Sequence, residues 1–419
     1  MNYRISHPTK KIQAEINLTS SKSESNRALI IQALCPEKFE IDNLSAAFDT
    51  TTLDTILKLS ATQHDFAFAH DVGGAGTAMR FLTAFFATKI GTHILTGSDR
   101  MKKRPIEILV NALRDLGASI EYMEEDGFPP LKIYGRTLKG GQIEMDGNVS
   151  SQFISALLLI APELQNGLFI KFKGEVTSRP YINMTLKMME EFGVYGQWHD
   201  NSISVSQQNY HIKRDVGYTY KVEGDWSSAS YWYAIAALSD TAELTIKGLK
   251  HPSLQGDAIV AAIFTFFGVK TEYISDGIRI TKQNVKDEHF GFDFSDCPDL
   301  AQTIAVVVAA LGIPALFNGL HTLRIKETDR IEALKIELKK IGVDVEIVND
   351  NSIKINNGSL TKHPVSIETY EDHRMAMAFA ALSLKLDSVL IKEAAVVKKS
   401  YPDFWKDLMR AGFSVNQTV

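Results

Sequence analysis

Apolar and polar positions along the chain repeat one pattern four times. An amphipathic helix ends in Gly, and a strand, a polar turn and a second alternating strand follow. The copies read NALRDLGASIEY…PLKIYG around Gly117, LKMMEEFGVYGQW…SISVS around Gly193, AAIFTFFGVKTEYISDGIRIT around Gly268 and LKIELKKIGVDVEIVNDNSIKI around Gly342, so the glycines lie 76, 75 and 74 residues apart. A glycine there suits the left-handed residue that ends a helix, and period-two alternation marks half-buried strands. A fifth copy, FWKDLMRAGFSV around Gly412, runs out after one strand. The alternating segment Lys10 to Leu18 is expected to supply its missing strand, so that the chain starts and ends in one domain.

A second series lies between these copies. Helices apolar on nearly every side begin near Lys22, Gly76, Ser150, Ser227, Asp299 and His373. Such a helix must be buried, and six of them predict an α/β (α+β) fold of two globules, each with three units of buried helix, amphipathic helix and small sheet. The longest apolar run, Ile304 to Phe317, reads as a buried helix and is shorter than the roughly 18–20 residues that a membrane span needs.

Composition narrows the class. The 419 residues are 45% hydrophobic and 23% charged, which excludes a disordered or fibrous chain. Two cysteines, Cys35 and Cys297, cannot form a disulfide framework or a Cys-rich metal site and suit a reducing cytosol. The start MNYRISHPTKKIQ has no apolar core for a secretory signal. A net charge near −5 argues against a nucleic-acid binder. Anion binding then requires local concentration of cations.

The starts of the buried helices provide it. A helix N-terminus is a natural anion seat. Ser23 and Arg27 are four apart, with Lys22 beside them; a glycine-rich turn leads through Gly76 into a helix bearing Arg80; and Lys102-Lys103-Arg104 precedes Pro105. The Gly76 turn matches neither GxxxxGK[ST] nor GxGxxG. Lys326 and Arg330 sit four apart on one helical face, where like charges destabilise unless an anion lies between them. Glu327 adds a carboxylate in that turn. Asp372-His373-Arg374 opens another buried helix, and Lys398-Lys399 precedes Pro402. Ser150-Ser151-Gln152 and Ser178-Arg179-Pro180-Tyr181 could seat a phosphate or hydroxyls, or simply cap helices. Asp299 is an N-cap or a general base.

Taken in order, KSxSNR, GxAGTAMR, MKxRP, DGxVSSQF, SxPY, EGDxSSASY, PD, RxKETDR, DHRMAM and KxxPD make the chain from Lys22 to Pro402 resemble the 5-enolpyruvylshikimate-3-phosphate synthase family of enolpyruvyl transferases. The resemblance implies two domains of three βαβαββ-type units, residues 20–223 and residues 1–19 plus 224–419, with the active site in the interdomain cleft. It implies transfer of the enolpyruvyl group of phosphoenolpyruvate to the 5-hydroxyl of shikimate 3-phosphate, in the cytoplasmic pathway to chorismate and aromatic amino acids. No metal or organic cofactor, nucleic acid or membrane is implied, and a monomer is expected. By the same resemblance Lys22, Ser23, Arg27, Ser150, Ser151, Gln152, Ser178, Tyr181, Asp299 and Lys326 hold shikimate 3-phosphate, while Lys22, Gly76, Arg104, Gln152, Arg330, Arg374 and Lys399 hold phosphoenolpyruvate. Asp299 takes the 5-hydroxyl proton, and Lys22 and Glu327 serve the methylene carbon.

Three residues depart from the family pattern. Gly74 replaces an Asn, Phe81 a Pro, and Thr322 an Asn near the bound phosphate. Two other readings stay open: transfer to UDP-N-acetylglucosamine, whose family carries a loop cysteine that residues 98–104 lack, and a noncatalytic phospholigand binder on the same scaffold.

Overall fold

The computed structural model describes residues 1–62, 68–213, 217–284, 289–361 and 363–418. The chain divides into two compact units, Met1–Ser20 with Glu223–Val419, and Ser21–Val222, each with its own apolar core.

Five sheets share one arrangement. A strand runs parallel to the next across a buried helix, and two antiparallel strands complete the order. In the unit of residues 21–222, Phe68–Asp71 pairs parallel with Gly91–Thr96, which is antiparallel to Leu131–Gly135, itself antiparallel to Ser119–Tyr122. The sheet of Gly141–Asp146, Leu168–Lys173, Ser202–Val205 and Gly196–His199 repeats this order. The remaining sheet of that unit is reduced, among the described residues, to Glu40–Asp42 parallel to Thr219–Lys221.

The other unit holds three full sheets. Lys11–Asn17 pairs parallel with Thr241–Lys247, in register from Lys11↔Thr241 to Asn17↔Lys247, so it opens a sheet instead of closing the last one. The strand that completes the fifth copy is Asn2–Ser6, antiparallel to Ser414–Thr418 and to Val389–Ile391. The expectation for Lys10 to Leu18 is corrected accordingly. Its alternation was read properly, with Ile12 and Ile16 buried between exposed Lys11, Gln13, Glu15 and Asn17, but alternation names a buried face and says nothing of which edge the strand joins.

The buried helices are Lys22–Leu34, Gly76–Thr88 and Ser151–Ile160 in one unit, and Trp226–Leu238, Ala301–Leu311 and His373–Ala380 in the other. The Gly76, Ser151, Ala301 and His373 helices each join two parallel strands, and their N-termini emerge at the strands' carboxyl ends, where ligand sites gather in such folds. The run Ile304 to Phe317 is part helix and part strand: Gly312 takes a left-handed φ of 69° and ends the helix, and Ala315–Asn318 forms a strand. Gly117, Gly193, Gly268, Gly342 and Gly412 have φ of 102°, 81°, 70°, 87° and 93°, as the repeat predicts.

Both crossings between units interrupt a strand–helix–strand connection. Lys11–Asn17 leads in sequence into the Lys22 helix, yet its parallel partner follows the Trp226 helix; Thr219–Lys221 leads into the Trp226 helix, yet its partner follows the Lys22 helix. Ser20 and Gly224 form an antiparallel bridge, and Gly224 N–H donates to the Gly248 carbonyl at 2.7 Å. A Cβ on Gly224 would lie 3.0 Å from that carbonyl oxygen, which explains glycine there.

Candidate active site

Four helix starts assemble in the unit of residues 21–222. Ser21 caps the Lys22 helix by accepting the Glu24 N–H at 3.3 Å. Arg27, one turn in and 3% exposed, donates Nε to Thr185 Oγ1 at 2.7 Å, Nη1 to the Ser23 carbonyl at 2.8 Å, and Nη2 to Ser155 Oγ at 2.8 Å and the Tyr181 carbonyl at 3.2 Å. Its guanidinium also covers the Phe81 ring at 5.6 Å. Burial, only partly opposed by Tyr181 and Glu24, lowers its proton affinity to about 10, so it stays charged at neutral pH. Most of its donors bind the protein, so Arg27 frames the start of the Arg179–Glu191 helix and has little left for a ligand.

Arg104 is the contrasting case. It is 8% exposed, its Nε has no partner, and its Nη1 would lie 2.5 Å from a Cβ built on Gly76. The guanidinium thus rests on the bare backbone at the N-terminus of the Gly76 helix, where no side chain caps Ala75. A cation thus meets a helix start, a natural anion seat, although one of its N–H groups, that of Thr77, is already taken by Asp49. Arg80 is occupied, donating to the Gly76 and Pro105 carbonyls at 3.1 and 3.4 Å, and Lys102 pairs with exposed Glu124 at 2.7 Å.

Asp49, at the start of the Phe48–Thr62 helix, is a member that sequence reasoning did not find. Its carboxylate lies 3.8 Å from Lys22 Nζ and accepts the Thr77 N–H at 3.0 Å, while Gln152 Nε2 donates to Thr77 Oγ1 at 3.3 Å. This chain links four helix starts, those at Lys22, Phe48, Gly76 and Ser151. An acid at a helix N-terminus is common, and only the fold brings this one to Lys22. Ser150 caps its helix through the Gln152 N–H at 3.4 Å, with Ser151 half-buried beside it. Ser178 is different: it is 6% exposed, left-handed at φ 54°, and makes no cap bond, so its hydroxyl serves no capping role.

In the unit of residues 1–20 and 223–419, Lys326, Arg330 and Arg374 are held by carboxylates. The KETDR run is not helical at its start. The helix begins at Arg330, capped by Asp329, and Lys326 precedes it in a turn. Lys326 and Arg330 therefore meet through Asp299, at 4.0 and 2.9 Å, and not along a helix face. Arg330, 1% exposed, donates Nε to Asp372 at 2.7 Å and Nη2 to Glu327 at 2.9 Å. Arg374 donates Nη2 to the second Asp299 oxygen at 2.7 Å and Nη1 to Tyr231 Oη at 3.3 Å. Asp372 caps the His373 helix through the Arg374 N–H at 2.8 Å. Lys399 donates to the Glu371 carbonyl at 2.8 Å.

Asp299 is no N-cap. It sits in the 3₁₀ turn Pro298–Leu300 with both oxygens on guanidinium groups. Burial makes it a weaker acid, but Arg374, Lys326 and Arg330 outweigh that and hold it well below the usual carboxylate range. Burial would lower Arg330, yet Asp372, Glu327 and Asp299 raise it above an ordinary arginine. Burial, opposed by Asp299, lowers Lys326. Asp372 and Tyr231 were not among the predicted site residues, although an Asp directly before a helical run is a readable cap signal. Thr322, the third departure, is 6% exposed with its hydroxyl unpartnered. Among the described residues no group of His, Cys, Asp and Glu is placed to hold a metal ion, and no helix is long and apolar enough to cross a membrane.

Comparison with known proteins agrees with this architecture. The family model for EPSP synthase (3-phosphoshikimate 1-carboxyvinyltransferase) matches residues 6–408. A 3-phosphoshikimate 1-carboxyvinyltransferase of Bacteroides fragilis is 49% identical over 418 residues, covering 99% of each chain, and one of Sulfurovum sp. is 38% identical over 435 residues, covering 97% of this chain and 99% of its own. In fold, the chain is similar to the EPSP synthase of Acinetobacter baumannii, with a TM-score of 0.79 at 22% identity over 99% of this chain and 100% of that one. It is also similar to the enolpyruvyl transferase NikO of Streptomyces tendae, with a TM-score of 0.76 at 14% identity over 100% and 99%. On the full-length identity and the extent of the family match, the chain belongs to the EPSP synthase (3-phosphoshikimate 1-carboxyvinyltransferase) family.

Proposed function

We propose that the protein transfers the enolpyruvyl group of phosphoenolpyruvate to the 5-hydroxyl of shikimate 3-phosphate, releasing phosphate, in the cytoplasmic route to chorismate and aromatic amino acids. Family membership supports the reaction class. The observation that carries the residue assignment is the Asp299 carboxylate held between Arg330 and Arg374 at 2.9 and 2.7 Å.

In this reading phosphoenolpyruvate binds Lys22, Gly76, Arg104, Gln152, Arg330, Arg374 and Lys399. Shikimate 3-phosphate binds Lys22, Ser23, Ser150, Ser151, Gln152, Ser178, Tyr181, Asp299 and Lys326, with Arg27 acting mainly as the frame beneath them. The unpartnered Arg104 Nε over the start of the Gly76 helix suits an anion, and planar guanidinium groups suit phosphate and carboxylate. A tightly held Asp299 is a weak base. When an anionic ligand shares Arg330 and Arg374, their hold on Asp299 relaxes and its basicity rises, in time to accept the 5-hydroxyl proton. Oxygen then bonds to C2 of phosphoenolpyruvate as C3 gains a proton; loss of a C3 proton and of phosphate restores the double bond. Lys22 and Glu327 are assigned to the proton at C3. Positioning and charge supply most of the rate.

The test is phosphate release from phosphoenolpyruvate by the purified protein. Release that depends on shikimate 3-phosphate, is not supported by UDP-N-acetylglucosamine, and drops sharply in folded Lys22→Ala and Glu327→Ala is expected. Equal release with either acceptor, or none with shikimate 3-phosphate, defeats the reading.

A further inference from the structure

Residues 250–257 fasten the segment that enters the Trp226 helix. Gln255 accepts the Trp226 N–H at 3.0 Å and donates to the Gly224 carbonyl at 2.7 Å; Glu223 accepts the Trp226 indole, the Lys250 N–H and the Ser253 hydroxyl at 2.7, 2.8 and 2.7 Å. Asp257 ends this loop. It is 2% exposed, accepts the Ser227 hydroxyl on Oδ2, and has no partner for Oδ1.

The charges around it are unbalanced. Asp299 acts on it from the Pro298–Leu300 turn and Asp225 from the cap of the Trp226 helix, while the cation that acts on it, Arg374, already donates to Asp299 and Tyr231. Cys297, buried nearby, is pushed up chiefly by burial and then by Asp257 and remains a thiol. Burial first and Asp299 second push Asp257 up to about 7, against Arg374 and Ser227. Neighbouring carboxyls with opposed environments divide the roles of anion and acid. Here Asp299 is the anion.

We propose that Asp257 is a positioning residue for Asp299 and Arg374: as the neutral acid it leaves Arg374 to Asp299 and the incoming anion, and its ionisation draws Arg374 away from both. The proposal deepens the enolpyruvyl-transfer reading and rests on it. It extends the site to the loop of residues 250–257, which is otherwise structural.

The test follows KM for phosphoenolpyruvate and kcat from pH 6 to 9 in the full chain, Asp257→Asn and Ser227→Ala. In the wild type KM is expected to rise roughly fivefold between pH 7 and 9, within the tenfold per unit that one ionisation allows. Asp257→Asn should lack that rise, and Ser227→Ala should move it to higher pH, because the hydroxyl favours the ionised form. A rise that persists unchanged in Asp257→Asn, or that is absent from the wild type, overturns the proposal. Thermal unfolding gives a readout free of turnover. An acid raised on folding contributes stability below the ordinary Asp range that is lost as pH climbs towards 7. The Tm of Asp257→Asn should therefore gain on the wild type between pH 4 and 7 and then run parallel. Parallel Tm curves throughout overturn the proposal even if turnover is seen. Diverging curves without shikimate 3-phosphate-dependent release defeat the reaction reading alone.

Discussion

Arg27 and Arg330 are both arginines more than nine-tenths buried, one in each unit, and they are held in opposite ways. Hydroxyls, carbonyls and the Phe81 ring surround Arg27, so burial lowers its proton affinity and it holds its charge through dipoles. Three carboxylates surround Arg330 and raise it. Dipoles fix a cation without offering an exchangeable counter-ion. Carboxylates make each cation's availability depend on where protons and other anions sit. The unit of residues 21–222 is therefore the more rigid half of the residue set, and the unit containing Asp299 the half that responds to ligand and pH.

Substitutions can break this contrast. The largest effect is expected for Asp299→Asn, which keeps the shape and removes the exchangeable anion: kcat should fall about 10²–10⁴-fold in the phosphate-release assay. Arg330→Ala strips the partner from Asp372, which is fully buried, and should cost ~3–5 kcal/mol in denaturant unfolding besides abolishing turnover. Arg27→Ala leaves only neutral groups unpaired, so a smaller loss of ~1.5–3 kcal/mol is expected. If it destabilises as much as Arg330→Ala, the distinction between dipole and carboxylate support collapses. Gly76→Ala places a Cβ 2.5 Å from Arg104 Nη1 and forces that guanidinium aside, so KM for phosphoenolpyruvate should rise about tenfold, or ~1.4 kcal/mol, with the unfolding midpoint little changed. The smallest effect belongs to Lys102→Ala, which removes an exposed pair with Glu124: under ~0.5 kcal/mol in stability and unaltered turnover.

Much of this was legible along the chain. The five helix-ending glycines, the six buried helices and the cationic helix starts follow from local pattern, because burial on all sides, left-handed termination and N-terminal polarity each leave a local mark. Asp49, Tyr231 and Asp257 left no such mark. Asp49 looks like any acid in a first helical turn, Tyr231 like core, and Asp257 like a loop residue; what distinguishes them is the partner across space. The same limit misassigned the strand at Lys11–Asn17, whose pattern was right and whose edge was wrong. It also put Lys326 and Arg330 on one helix face, when Asp329 caps a helix that starts only at Arg330.

The sequence by itself determined which segments are buried, where helices end, how many repeating units the chain carries, and that cations gather at helix starts. These are properties of neighbours a few residues apart, set by side-chain period and backbone freedom. Only the tertiary structure decided which cations remain available. Lys102, Arg80 and Arg104 lie within 25 residues of one another, yet the first is a surface pair, the second is bound to carbonyls, and the third rests on Gly76. That outcome depends on burial and on charges brought together from distant positions. In the other unit the same forces gave Asp299 two guanidiniums and raised the Asp257 carboxyl above the usual carboxylate range, because Coulomb and desolvation energies act through space and not along the chain.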